Sequence, residues 1–147
     1  MNFKNRKKIF FINLIFILII FFLDRASKIY VVDQFRENFD NTLYKSKFLN
    51  IHLIWNEGIA FGLMSFDEKS FYNSLTIIII LVSLFVLYLS YASKGLQRYA
   101  LLSIFAGSLG NIYDRLFYNA VPDFIDFHVG DFHWFIFNIA DIFITLG

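Results

Sequence analysis

The chain has 147 residues, 58% of them hydrophobic and 21% aromatic, with 21 Phe, one Pro and no Cys; its mean hydropathy is +0.58. A soluble domain of this size has too little interior to hide so much apolar surface, so the chain reads as one integral membrane domain solvated largely by lipid. A formal net charge of +1 leaves no broad basic face for nucleic acid, and the lack of Cys excludes disulfides, thiolate nucleophiles and cysteine-based metal sites.

The expected fold class is a mainly α membrane protein of four transmembrane helices, with a small periplasmic β-sheet between the first two. The first helix is expected over residues 9–32. Ile9 to Leu23 is apolar apart from Asn13 and follows Lys4, Arg6, Lys7 and Lys8. A basic start before an apolar run also describes a secretory signal peptide, but this run ends in Leu23-Asp24-Arg25 with no small-x-small cleavage site. About 24 residues at 1.5 Å each give roughly 36 Å, enough to cross a bilayer.

Residues 33–70 then form an outer segment. Within it Phe48 to Trp55 alternates as a strand does, and Asn56-Glu57-Gly58-Ile59-Ala60-Phe61-Gly62 has the glycines of a sharp turn. The second helix, 71–92, is the plainest; the third, 99–117, carries small and polar residues. The fourth, 135–147, reaches the last residue with no charged flank, so a cytoplasmic tail is expected beyond it.

Basic residues set the orientation. They crowd the N-terminus and recur at Lys94 and Arg98, whereas Ala120 to Asp131 has none, so the positive-inside rule puts both termini and the Lys94–Arg98 turn in the cytoplasm. The outer segment carries Arg36, Lys45, Lys47 and Lys69, against the trend, but it is long and more tolerant of charge.

Polar residues within the helices recur at helical spacing. Asp24 and Lys28 lie four apart, where an ion pair can form. Gly107, Asn111, Asp114 and Tyr118 line one face of the third helix, and Gly107 and Gly110 admit a close neighbour. Asn138 and Asp141 share a face of the fourth. A start of that helix near 135–138, rather than at Phe132, brings Asp141 toward the outer interface and toward Asp123.

Asp123 and Asp141 carry the chemical argument. Carboxylates at membrane depth are costly and persist where something uses them. Two of them close together cannot both ionise cheaply, so they share a proton and titrate as a unit. The ionised member can take a proton from water as that water attacks a carbonyl; the protonated member can donate to the developing oxyanion. Either aspartate could start charged. Asn111 and Asn138 could orient the acids as amide donors, while Asp114 and Arg115 could bind substrate backbone or brace the bundle.

Four blocks carry a family resemblance: Asp24-Arg25-Ala26-Ser27-Lys28; Asn56-Glu57-Gly58-Ile59-Ala60-Phe61; Gly107 to Arg115 continuing to Val121-Pro122-Asp123-Phe124; and Phe137-Asn138-Ile139-Ala140-Asp141. In this order the chain resembles the lipoprotein signal peptidase (signal peptidase II) family of intramembrane aspartic proteases. The resemblance implies cleavage of the signal peptide from diacylglyceryl-modified prolipoproteins just before the lipidated cysteine. It implies Asp123 and Asp141 as the catalytic pair, with Asp24, Lys28, Asn56, Gly58, Asn111, Asp114, Arg115 and Asn138 in support. No cofactor and no metal are expected. The expected setting is the bacterial cytoplasmic (inner) membrane, in contact with lipid, as a monomer with its site toward the periplasm. Asn119 and Ser108 stand where the family more often has glycine; Asn tolerates a left-handed backbone better than most residues.

The same residues fit other chemistries less well. Asp126, His128, Asp131 and His133 resemble a metal set, but without firm ligand spacing. Gly107-Ser108-Leu109-Gly110 resembles a serine nucleophile turn, yet no span holds a histidine to act as base. Ser27 and Lys28 are adjacent rather than facing, which disfavours a Ser–Lys protease. A proton-linked transporter using Asp24, Asp114 and Asp141 would more often show inverted repeats, and a purely structural role leaves the buried acids unexplained.

Overall fold

A computed structural model describes residues 3–37, 42–58 and 68–147. In chain order it contains α1 (Phe3–Glu37), β1 (Tyr44–Lys45), β2 (Leu49–Asn56), α2 (Glu68–Ala92), α3 (Gly95–Tyr118), β3 (Val121–Val129), β4 (Phe132–Phe137) and α4 (Ile139–Leu146). Residues 59–61 of the Asn56–Phe61 block lie outside the described residues.

α1 and α2 are long enough and apolar enough to cross a membrane, over Lys4–Arg36 and Ser70–Ala92. Neither contains Gly or Pro, so nothing interrupts the backbone ladder. On α2 the inward hydroxyls of Thr76, Ser83 and Ser90 are buried, and each donates to a carbonyl three or four residues back in its own helix. That self-satisfaction lets polar side chains sit where water is absent. A tight connection follows: Ser93 N–H donates to Leu89 O at 3.1 Å, and Gly95 takes a positive φ of 58°, turning the chain back into α3.

α3 is the hub, packing against α1, α2 and α4. It is 24 residues long, with Asn119 closing it in the left-handed conformation at φ 56°. Asn119 thus does what a glycine would do there. Gly107 and Gly110 mark the closest approaches: a Cβ on Gly107 would strike the Ala140 backbone of α4, and one on Gly110 would strike the Asp24 carboxylate of α1. The room the sequence reserves at these positions is used by two different neighbours.

The sheet departs from expectation. It has four antiparallel strands in the order β1-β2-β3-β4, so only half of it lies between the first two helices; β3 and β4 come from the connection after α3. Val129 pairs with Phe132 around Gly130-Asp131, where Gly130 has φ 59°, as a two-residue hairpin turn requires. Because Phe132–Phe137 is paired as a strand, the fourth helix begins at Ile139 and not at 135. The apolar run through Trp134 and Phe135 reads as helix, but in the strand its side chains alternate between the two faces and both of these are exposed. Pro122 is tolerated in β3 because there the strand pairs with β2 at Trp55, while β4 pairs only from Ile125 onward.

Candidate active site

The sheet and α4 bring the two expected acids to one residue. Asp123 lies on β3 and is 4% exposed; Asp141 lies in the first turn of α4. Asn138, fully buried at the junction of β4 and α4, holds both. Its Nδ2 donates to Asp123 Oδ1 at 2.6 Å, and its backbone N–H donates to Asp141 Oδ2 at 3.0 Å. In return the Asp141 N–H donates to Asn138 Oδ1 at 3.2 Å. The last two bonds form a capping box that starts α4, so the same side chain begins the helix and aligns the acids.

Each acid has a second amide. Asn56 Nδ2, at the end of β2, donates to Asp123 Oδ2 at 2.8 Å, while its Oδ1 accepts from Gly58 N–H at 2.8 Å. Gly58 has φ 74°, so its part is to turn the backbone back onto Asn56. Asn111 Nδ2, on α3, donates to Asp141 Oδ1 at 2.8 Å. Burial pushes the Asp123 carboxyl above the usual range; the amides of Asn56 and Asn138 oppose this, the Asp141 charge adds to it, and Lys28 pulls it down again.

Behind the acids lies a buried cluster of four charges. Asp24 and Asp114 are fully buried, and Lys28 is 2% exposed. Arg25 grips Asp114 with both terminal nitrogens, at 2.6 and 2.7 Å, and reaches Asp24 at 2.9 Å. Lys28 meets Asp114 at 2.7 Å, Asp24 at 3.0 Å and Asn111 Oδ1 at 2.8 Å. Two cations against two anions leave the cluster neutral. It reaches the acids by two routes: Lys28 fixes the amide orientation of Asn111, and Asp24 accepts the Ala140 N–H at 3.0 Å, one residue before Asp141.

Asp24, Lys28 and Asp114 are expected from the sequence to support the acids, whereas Arg25 is not among the expected residues. Its signal was a second charge inside an apolar helix, beside Asp24. Arg115 stands apart from the acids in its bonds: its Nη1 donates to Asn111 O at 3.3 Å, and its buried Nε has no partner among the described residues.

The rival chemistries fare poorly on contact. Ser27 Oγ donates to Asp24 O of its own helix at 2.8 Å, and Lys28 is held by two carboxylates, so neither is free to act as a Ser–Lys pair. Asp126 is buried and bonded to His133 Nδ1 at 2.9 Å and to Asn50 at 3.2 Å. Although burial alone would raise the Asp126 carboxyl, these bonds hold it below the usual range.

Each acid lines an opening of its own. Asp123 lines an open cleft of about 390 Å³ with Trp55, Asn56, Glu57 and Ile136. Asp141 lines an almost wholly apolar groove of about 210 Å³ along α4, with Phe135, Phe137, Ile142 and Leu146. A polar chain segment fits the first opening and hydrocarbon fits the second.

Two solved structures described as bacterial membrane enzymes share the fold, with TM-scores of 0.66 and 0.69. Each is 31% identical in sequence and covers 90% of this chain, with 80% and 84% of the solved chains covered. The class is therefore a helical membrane enzyme carrying a small antiparallel sheet. The family model for signal peptidase (SPase) II matches residues 16–147. A lipoprotein signal peptidase of Pelagibacter ubique is 47% identical over 99% of this chain and 86% of its own length. Another, of Anaplasma phagocytophilum, is 39% identical over 92% and 86%. The chain belongs to the signal peptidase II family and is a peptidase, which sets aside the transporter and structural readings.

Proposed function

We propose that this chain cleaves the signal peptide from diacylglyceryl-modified prolipoproteins just before the lipidated cysteine, with Asp123 and Asp141 as the catalytic pair. The observation that carries this reading is Asn138, bonded to both carboxylates, of which Asp123 lines a polar cleft and Asp141 an apolar groove. A lipidated cysteine needs both environments side by side, one for its peptide and one for its acyl chains.

In this mechanism Asp123 holds the shared proton and Asp141 is ionised. Burial favours the neutral form of Asp123. Asp141 sits at the start of a helix, where backbone N–H groups and the helix dipole favour an anion. Asp141 takes a proton from water as the oxygen attacks the scissile carbonyl, and Asp123 donates its proton to the carbonyl oxygen. As the tetrahedral diol collapses and its C–N bond breaks, Asp141 protonates the leaving amine and Asp123 takes back a proton from one diol hydroxyl, so the pair returns to a single shared proton.

All four helices enter the membrane in this proposal. α3 has 24 residues, or roughly 36 Å, and its polar face is turned to α1 and α4 rather than to lipid. With the N-terminus and the Ser93–Lys94 connection in the cytoplasm, the sheet and the acids lie on the periplasmic side of the inner membrane. The enzyme acts as a monomer on substrate entering sideways from the bilayer.

The test is a cleavage assay on a diacylated precursor, read as a shortened product on a gel. Asp123→Asn and Asp141→Asn should each abolish the product while the purified protein keeps its thermal transition. Product formation by either variant would refute the paired-acid mechanism.

A further inference from the structure

At the far end of the bundle from the acids, a second groove of about 580 Å³ opens between α1 and α2 over the first turns of α3. This lies within the roughly 300–1,000 Å³ of small-molecule sites. Its walls are mainly hydrocarbon and aromatic, including Ile17, Leu102 and Phe105, with the Ser90 hydroxyl bonded within α2, and no acidic side chain among the described residues lines it. At its mouth stand Arg6 from the start of α1 and Arg98 from the start of α3. Arg98 Nε–H donates to Ser93 O at 2.9 Å, which fixes the side chain and leaves both terminal nitrogens for another acceptor. Neither arginine has an acidic partner among the described residues.

One polar group lies deeper in the wall. Asn13 is two turns, roughly 10 Å, along α1 from Arg6, and its buried Oδ1 has no hydrogen-bond partner among the described residues. Its amide therefore completes no network of the protein's own. The groove thus presents two guanidiniums, then an amide, then hydrocarbon. A phospholipid presents a phosphate, ester groups and an acyl chain in the same order.

We infer that this groove holds one anionic phospholipid of the cytoplasmic leaflet, its phosphate between Arg6 and Arg98 and one acyl chain along Ile17 and Phe105. Charge complementarity selects this occupant over the apolar helix of a signal peptide. Such a peptide begins with a basic segment on the cytoplasmic side, which these two arginines would repel. The leaflet rests on the orientation proposed above; the binding itself does not.

Native mass spectrometry of the full chain in neutral detergent tests this, with phosphatidylglycerol and phosphatidylcholine of matched chains offered together. The expected result is one retained phosphatidylglycerol, preferred by roughly tenfold or more. That preference should be lost in an Arg6→Gln/Arg98→Gln variant and kept in a Lys4→Gln/Lys8→Gln control, which removes equal charge outside the groove. Leu14→Trp, which keeps both arginines and fills the groove, should also lose the lipid and decides the matter if the double variant does not fold. Equal retention of the two lipids, or equal loss in the control, overturns the assignment. So does a raised KM for the diacylated precursor with lipid retention unchanged, which would give the groove to substrate. Because lipid is counted directly, the result stands apart from whether Asp123 and Asp141 catalyse cleavage.

Discussion

Asn56 shows how one amide can set a working pH. It is one of two amides that hold the Asp123 carboxylate against the upward push of burial. In Asn56→Ala the anion loses that donor, so the carboxyl should rise further above the usual range. If Asp123 must be protonated for catalysis, activity falls as pH climbs through its titration. The alkaline limb of kcat/KM against pH should therefore move to higher pH in the variant, with a lower maximum. A limb that stays in place would mean that Asp123 is not the proton donor. Asp123 and Asp141 could be read as a pair from sequence because charge is so rare in apolar surroundings. That Asn138 could orient the acids as an amide donor was readable too; that it also caps α4 through Asp141 was not, since this depends on the path of a strand that the apolar run concealed.

At the level of elements, the junction of β4 with α4 governs the site. Asn138-Ile139-Ala140-Asp141 is a capping pattern, and it marks the helix start more sharply than hydropathy does. Gly130-Asp131 likewise marks the hairpin. Both signals are short and local, and a long apolar stretch through Phe132–Phe137 overrides them when spans are sought. The two tasks of Asn138 can be separated. Asn138→Ser keeps an N-cap oxygen but is too short to donate to Asp123, whereas Asn138→Ala loses both functions. The serine variant should keep the wild-type Tm and lose cleavage by about 10²-fold. The alanine variant should lose comparable activity and about 1 kcal/mol of stability as well. Thermal unfolding followed by tryptophan fluorescence, alongside the gel assay, distinguishes them; equal stability of the two variants would show that the cap matters little.

For the molecule as a whole, α3 organises everything else, and the four buried charges lock α1 to it. Asp114→Ala leaves Arg25 and Lys28 facing only Asp24, and removing one partner of a buried ion pair costs about 3–5 kcal/mol. A large fall in Tm is expected, while Asp33→Asn, in the exposed pair with Arg36 at 3.8 Å, should leave Tm nearly unchanged. The Asp24–Lys28 pair was readable from its spacing. The wider cluster was not, because Arg25 and Asp114 are 89 positions apart and meet only once the helices pack.

That lock has a consequence for how the protein is made. A copy of α1 shifted by one turn against α3 would strand two cations in hydrocarbon, and Ala140 would lose its acceptor on Asp24. Near-miss assemblies are thereby heavily penalised, so a molecule that has matured in the bilayer already has the scaffold beneath its acids in place. Packing α1 against α3 and setting the scaffold beneath the acids are coupled through the same four charges.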